Sequence, residues 1–322
     1  QIANPDLKWE STRSFNFGLD FTVLKGKLSG SIDYFNKDTR DILFPREAAD
    51  PVTPNGAIKW TNIDGNVINT GVEIALNSTI VKKENFSWDL GVNATFQSNE
   101  LKNFVGEIPT GEVSGQGLTG AYSQLIKNGF PINTFYLKKF IGIDKTTGIS
   151  LYENGEEKFM LGSANPKTLL GLTTTLAYKK FSLEMSMNGA FGHFIYNNTA
   201  NAVTSFNNIG KRNIGVAEYN LAKSLGEKAV NPSSASSRYL EKGNYLRMAN
   251  ATLNYALGNL GKNIRNANIF ITAQNLFVIT DFTGFDPEVN VAKPLNGIPS
   301  FGMEYTPYPM SRTINFGINF SL

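Results

Sequence analysis

One histidine, His193, and no cysteine in 322 residues leave little from which to build a nucleophile–base pair or a thiolate metal site. No Ser/His/Asp set gathers around His193, which sits at the end of an alternating segment and reads as an interfacial side chain. No phosphate-binding or dinucleotide glycine pattern occurs. TGFDPEVN offers Asp286 and Glu288 beside a glycine, but it lacks the regularly spaced carboxylates of a calcium loop and reads as a structural turn. No catalytic residue, cofactor or metal site is therefore expected. The side chains with recognition chemistry are aromatic: Trp60, Tyr122, Tyr196, Phe206, Phe282, Phe285, Tyr305 and Tyr308, all in long irregular segments. An aromatic face accepts the C–H surface of a sugar ring or the side chain of a peptide. Trp60, Tyr122, Phe285 and Tyr305 are the expected substrate-contacting residues. Any one of them could equally pack a loop on itself or against a neighbouring protein. The net charge of +3 is too small to argue for nucleic acid.

The elements that would carry these loops are strands. At the C-terminus, Ile314, Phe316, Ile318, Phe320 and Leu322 alternate with Asn315, Gly317, Asn319 and Ser321. This period of two fits an extended strand and no helix. The pattern recurs upstream. Phe15, Phe17, Leu19, Phe21 and Val23 alternate with polar residues, and so do Phe86, Trp88, Leu90, Val92, Ala94 and Phe96. Further strands are expected over 28–39, 70–80, 168–178, 181–191, 245–257 and 268–277. Another pair, 133–143 and 149–160, is placed around the turn Lys145–Gly148, which brings the count to eleven. Short turns at Lys25–Gly26, 82–85, Lys179–Lys180 and 258–265 alternate with long loops over 40–69, 98–131, 193–241 and 280–309. Residues 216–228 have the composition of a helix.

This is the pattern of an all-β, antiparallel, up-and-down transmembrane barrel: short turns at one end, long loops at the other, and strands of about ten residues or more. A soluble sandwich also alternates, but its strands are usually about 5–6 residues long. No apolar run of about 18 residues exists to form a membrane helix. On the barrel reading, Asp20, Asp33, Glu73, Asp89 and Glu184 line a wet lumen. QIANPDLKWE has neither the basic start nor the apolar core of a signal peptide, so an exported protein would have been processed or this would be part of a longer chain. Eleven is odd, whereas a closed bacterial barrel has an even number of strands. Either one strand is miscounted or more lie upstream. A passive porin complete at this length and a soluble β-rich binding module stay open as alternatives.

Six collinear segments resemble one family, the SusC/RagA branch of TonB-dependent outer-membrane transporters. They are NPDLKWESTRSFNFGLDF (4–21), LSGSIDYFNKDTRDIL (28–43), INTGVEIALN (68–77), YLEKGNYLRMANATLNYAL (239–257), NIFITAQNLFVITDFTGFDPEV (268–289) and YPMSRTINFGINFSL (308–322). The resemblance implies that residues 1–322 are the C-terminal portion, about eleven strands, of a plugged barrel of about 22. The plug domain, TonB box and first strands would lie outside this sequence. It further implies location in the outer membrane of a Gram-negative bacterium and active import of oligosaccharides or peptides. The TonB–ExbB–ExbD machinery would drive it, and a SusD-like surface lipoprotein would form the lid.

Overall fold

In the computed structural model, which describes residues 3–47, 58–288 and 290–322, nine long strands form one continuous antiparallel sheet. They are β1 (Ser11–Val23), β2 (Leu28–Arg40), β3 (Asn66–Lys83), β4 (Phe86–Lys102), β5 (Thr168–Tyr178), β6 (Phe181–Phe191), β7 (Tyr245–Leu260), β8 (Ile264–Thr280) and β9 (Thr313–Ser321). Each pairs only with its neighbours in sequence. The connections at one end are short. Leu24 and Lys25 take positive φ before Gly26 at 83°, which reverses the chain between β1 and β2. Lys179 does the same, at 51°, between β5 and β6. The connections at the other end, 41–65, 103–167, 192–244 and 281–312, are all long. Pro51 and Pro54 of the first long loop lie outside the described residues.

The expected count of eleven is corrected to nine. The hairpin around Lys145–Gly148 does form, with Phe140–Ile143 paired to Ser150–Tyr152. Asp144 caps its turn by accepting the N–H groups of Thr146 and Thr147, each at 2.8 Å. Below it Thr134–Lys138 pairs with Lys158–Ser163. This whole hairpin stands outside the wall, inside the connection 103–167. Strands of five and six residues are too short to cross a bilayer, which takes about 9–11. Removing a hairpin removes two strands, so the directions of all the others, and the odd parity, are unchanged.

Several wall strands also run further than their alternation. β4 continues past the apolar pattern into Ser98, Asn99 and Glu100, where both faces are polar, still paired with β3. Backbone pairing goes on where the apolar band stops. The expected helix is α1 (Val216–Leu225), closed by Gly226 in the left-handed conformation at φ 76°.

Register aligns the apolar side chains of all nine strands on one face. Leu19, Ile32, Ile74, Ala94 and Leu170 are successive neighbours across five strands. Phe86, Tyr178, Phe181 and Tyr255 form an aromatic row at the short-turn end, and the Phe181 and Tyr255 rings are 4.7 Å apart. The smaller sheets leave this face open: Phe17 is 68% and Phe316 79% exposed. Leaving a side chain of this kind in water forgoes about 1.5–3 kcal/mol. A sandwich would bury the face under a second sheet; here only a hydrocarbon surround could cover it. Among the described residues no helix is long and apolar enough to cross a membrane.

Candidate functional site

The buried apolar core of this protein is not under the wall's outer face but among the long connections. Connection 103–167 builds a four-stranded sheet from Glu107–Glu112, Tyr122–Lys127, Thr134–Lys138 and Lys158–Ser163. Connection 192–244 supplies Phe194–Asn197, which pairs with Leu240–Lys242 and, in parallel, with Met303–Glu304 of connection 281–312. Val113, Phe135, Leu137, Tyr196, Ala235 and Met303 close around one another as a common core. Side chains stitch distant segments together: Gln124 Nε2 donates to the Phe301 carbonyl at 2.6 Å, and Thr110 Oγ1 to that of Ile298 at 2.8 Å. The long loops are thus one folded cap.

The cap sits on the polar face of the wall. Val67 and Leu101, opposite each other on β3 and β4, belong to the same face as Glu73 and Asp89, yet both are buried. Together with Ile63, Phe104, Ile126 and Ile298 they form a second cluster, where the cap meets the wall. Nearby, Gln97 donates to the Pro166 carbonyl at 3.0 Å, and the Asn99 side chain accepts the Ile132 N–H at 2.8 Å. On the opposite flank, Arg247 of β7 holds the start of connection 281–312. Its Nη2 donates to Asp286, and its Nε is in ionic contact with Glu288. Glu288 also accepts from Tyr245 Oη and Asn188 Nδ2, each at 2.9 Å. Both carboxylates of TGFDPEVN are therefore occupied by an arginine, which accounts for them as loop anchors.

The four expected contact residues are placed very differently. Trp60, on the hairpin Leu43–Glu47/Ile58–Asn62, is 39% exposed. Phe285 is 54% exposed and lines a pocket with Glu304. Tyr122 and Tyr305 are half-buried, and each ring already carries a cation: Lys158 Nζ lies 3.7 Å from the Tyr122 centroid and Lys293 Nζ 4.2 Å from that of Tyr305. Tyr305 also packs against the cap core. No two of the four rings stack, and the pocket of Phe285 includes none of the other three. Of the remaining loop aromatics, Tyr196, Phe206 and Phe282 are buried in the cap, whereas Tyr308 is fully exposed.

His193 is corrected from an interfacial position to a buried one. Its carbonyl accepts the Gly243 N–H at 3.0 Å, its Nδ1 has no partner among the described residues, and burial lowers its pKa to about 4. It is a neutral packing group. A buried ion pair, Arg238 with Glu227, joins the end of α1 to the chain before Leu240; Nη2 donates to Oε2 at 2.6 Å. The group that composition and spacing missed is Glu304, wholly buried in a two-residue strand. Nothing in EYTPYP marks it, because its burial is made by residues 100 positions away. Among the described residues no group of three or more His, Cys, Asp or Glu is arranged to hold a metal ion.

Comparison with known proteins fits this geometry. The family model for the TonB dependent receptor-like beta-barrel matches residues 1–276. TonB-dependent receptor SusC of Bacteroides thetaiotaomicron is 28% identical over 98% of this chain and 32% of its own length. TonB-dependent receptor P3 of Formosa agariphila is 28% identical over 99% of this chain and 35% of its own. Among solved structures, that of the RagAB peptide transporter superposes with a TM-score of 0.80 over all of this chain and 36% of the other, at 23% identity, which speaks to the fold. The chain spans about a third of the length of the relatives it matches.

Proposed function

Because the chain belongs to the TonB-dependent receptor-like β-barrel family of the outer membrane, we propose that it is the C-terminal barrel portion of a SusC-like importer of oligosaccharides or peptides. The observation that carries this reading is the cap. A passive pore needs an open mouth. Here three long connections fold together, with their own core, against the polar face of the wall. An entrance built this way holds a ligand in contact with many side chains, and something must then move to let it through. The plug domain and remaining strands of a barrel of about 22 are assigned to the rest of the polypeptide. Energy comes from TonB–ExbB–ExbD acting on that plug, and a SusD-like lipoprotein covers the cap from outside. The exposed rings of Trp60 and Phe285 are the proposed substrate contacts of this chain, with Tyr122 and Tyr305 as supporting surface. No bond is broken in the cycle; the work is binding, release and reclosure.

Uptake tests the reading. Cells carrying the full-length gene are given fluorescent oligosaccharide and peptide pools, with and without a protonophore and in a tonB deletion. Accumulation lost in both cases is expected. Accumulation that persists without an energised inner membrane would make the protein a passive porin.

A further inference from the structure

We infer that the pocket formed by Asn197, Thr199, Thr204, Glu218, Phe285 and Glu304 is a subsite for a protonated amino group carried by the transported ligand, a conclusion that rests on the import reading above and narrows its substrate class. The pocket has a volume of about 180 Å³, and no lysine or arginine lines it. That is several times the roughly 30 Å³ share of one water molecule, so an ammonium and its neighbouring atoms fit.

Glu304 carries the argument. Its residue is wholly buried; its Oε2 takes a long contact, 3.4 Å, from the Thr199 N–H, and the Thr199 hydroxyl and the Phe285 N–H also lie close enough to favour the charged form. Oε1 has no hydrogen-bond partner among the described residues. A buried carboxylate without a cation is costly, and burial pushes this one up in pKa, against the opposing hydrogen bonds from Thr199 and Phe285 and with a smaller push from the charge of Glu241. Glu241 itself is committed: it accepts from Asn197 Nδ2 at 2.9 Å and from Thr283 Oγ1 and N–H at 2.8 and 2.7 Å. Glu218 accepts from Thr204 at 3.0 Å and lies in the first turn of α1, where the helix dipole favours a carboxylate. The Thr204 hydroxyl and the helix dipole account for Glu218, but not for the free oxygen of Glu304.

The chemistry selects an ammonium over the alternatives. An anion would meet two carboxylates and no counter-charge. A calcium ion takes 6–8 oxygens, and the carboxylates here are not grouped to hold a metal. An ammonium brings three donors. One serves the Glu304 carboxylate, and the neutral oxygens of Asn197 and the threonines are within the same lining. The exposed Phe285 ring offers a face to the positive charge. The amino group could belong to a peptide or to an amino sugar, and the test separates these.

The full-length transporter, purified in detergent with any lipoprotein that accompanies it, is titrated calorimetrically with trialanine, N-acetyl-trialanine, glucosamine trimer and N-acetylglucosamine trimer. In at least one pair the free-amino member is expected to bind about tenfold tighter, the scale of one charge-assisted contact. Preference within the first pair identifies a peptide amine, and within the second an amino sugar. Glu304→Gln is expected to bring the preference below about twofold while sparing the acetylated member. Phe285→Leu, at an exposed position that leaves the fold untouched, should reduce it by a smaller factor. Equal binding within both pairs, no binding of either free-amino probe, or an undiminished preference in Glu304→Gln would each overturn the subsite. Energy-dependent uptake that survives such a result leaves the import reading standing; loss of that dependence would instead remove the import reading itself.

Discussion

Arg247 on β7 donates from Nη2 to Asp286 Oδ1 at 2.5 Å, and the two side chains are only 6% and 5% exposed. The arginine projects from the polar face of the wall, and the aspartate begins the connection that also carries Phe285 and Glu304. The pair therefore ties the pocket side of the cap to the barrel. Removing one member of a buried pair leaves an uncompensated charge, at a cost of about 3–5 kcal/mol. Arg247→Met strands Asp286 and leaves Glu288 only its neutral donors, Tyr245 and Asn188. In the full-length protein it is expected to expose 281–312 to protease nicking and fast amide exchange, with β1–β6 protected as before. Unchanged protection of 281–312 would mean that the ion pair is not what holds the loop.

The two faces of the wall make opposite predictions from adjacent residues. Leu172, near the middle of β5, lies between Val92 and Met187 on the apolar face. Thr173, next to it, lies between Gly91 and Ser186 on the polar face. An arginine facing lipid near the bilayer midplane costs about 2–4 kcal/mol, whereas lumen substitutions are tolerated. Leu172→Arg should lower the denaturant midpoint of the full-length barrel in lipid, and Thr173→Arg should leave it nearly unchanged. The reverse order would assign the faces the other way round.

How legible this was depended on the range of the interaction. Phe86 to Phe96 and Ile314 to Leu322 announce their strands because each residue's environment, lipid or lumen, repeats every second position. The segment from Asn133 to Met160 misled because Thr134–Lys138 and Lys158–Ser163 also pair as strands; only their length separates a cap sheet from a wall, and alternation says nothing of length. Tyr196, Phe206 and Glu304 were opaque for a different reason. Their burial comes from segments that meet only after the whole cap has folded, as when Tyr196 aligns with Met303. Composition identified the aromatics but could not tell an open ring such as Phe285 from a packed one such as Tyr305.

That difference is itself testable. Phe285 is open, and Tyr305 packs on the cap core beneath Lys293. Phe285→Ala should leave cap stability within about 0.5 kcal/mol, as exposed substitutions do, and reduce ligand affinity. Tyr305→Ala should destabilise the cap by about 1–3 kcal/mol, with any affinity change following from that loss. Trp60→Ala is expected to behave like Phe285→Ala. Amide exchange in the cap, measured beside ligand titration, separates the two classes. Equal destabilisation by Phe285→Ala and Tyr305→Ala would erase the distinction.

His193 predicts the acid response of the cap. Its folded pKa is about 4, lowered by burial from the ordinary 6.5. Between these values the unfolded chain binds a proton that the folded chain does not, so stability rises with pH across this window and falls as pH drops through it. The contribution is whole above about pH 7.5 and is lost progressively towards pH 4, to a limit of about 3 kcal/mol. Amide exchange at residues 193–197 and 240–243, which pair beside the imidazole, should therefore quicken on acidification before the wall responds. Ordinary carboxylates also take up protons towards pH 4, so the informative quantity is the difference from His193→Gln, which has no group to protonate. The variant should show a flatter pH dependence between pH 6.5 and 4. Identical slopes in the two proteins would mean that His193 takes up its proton equally in the folded and unfolded chain, and that burial does not hold it neutral.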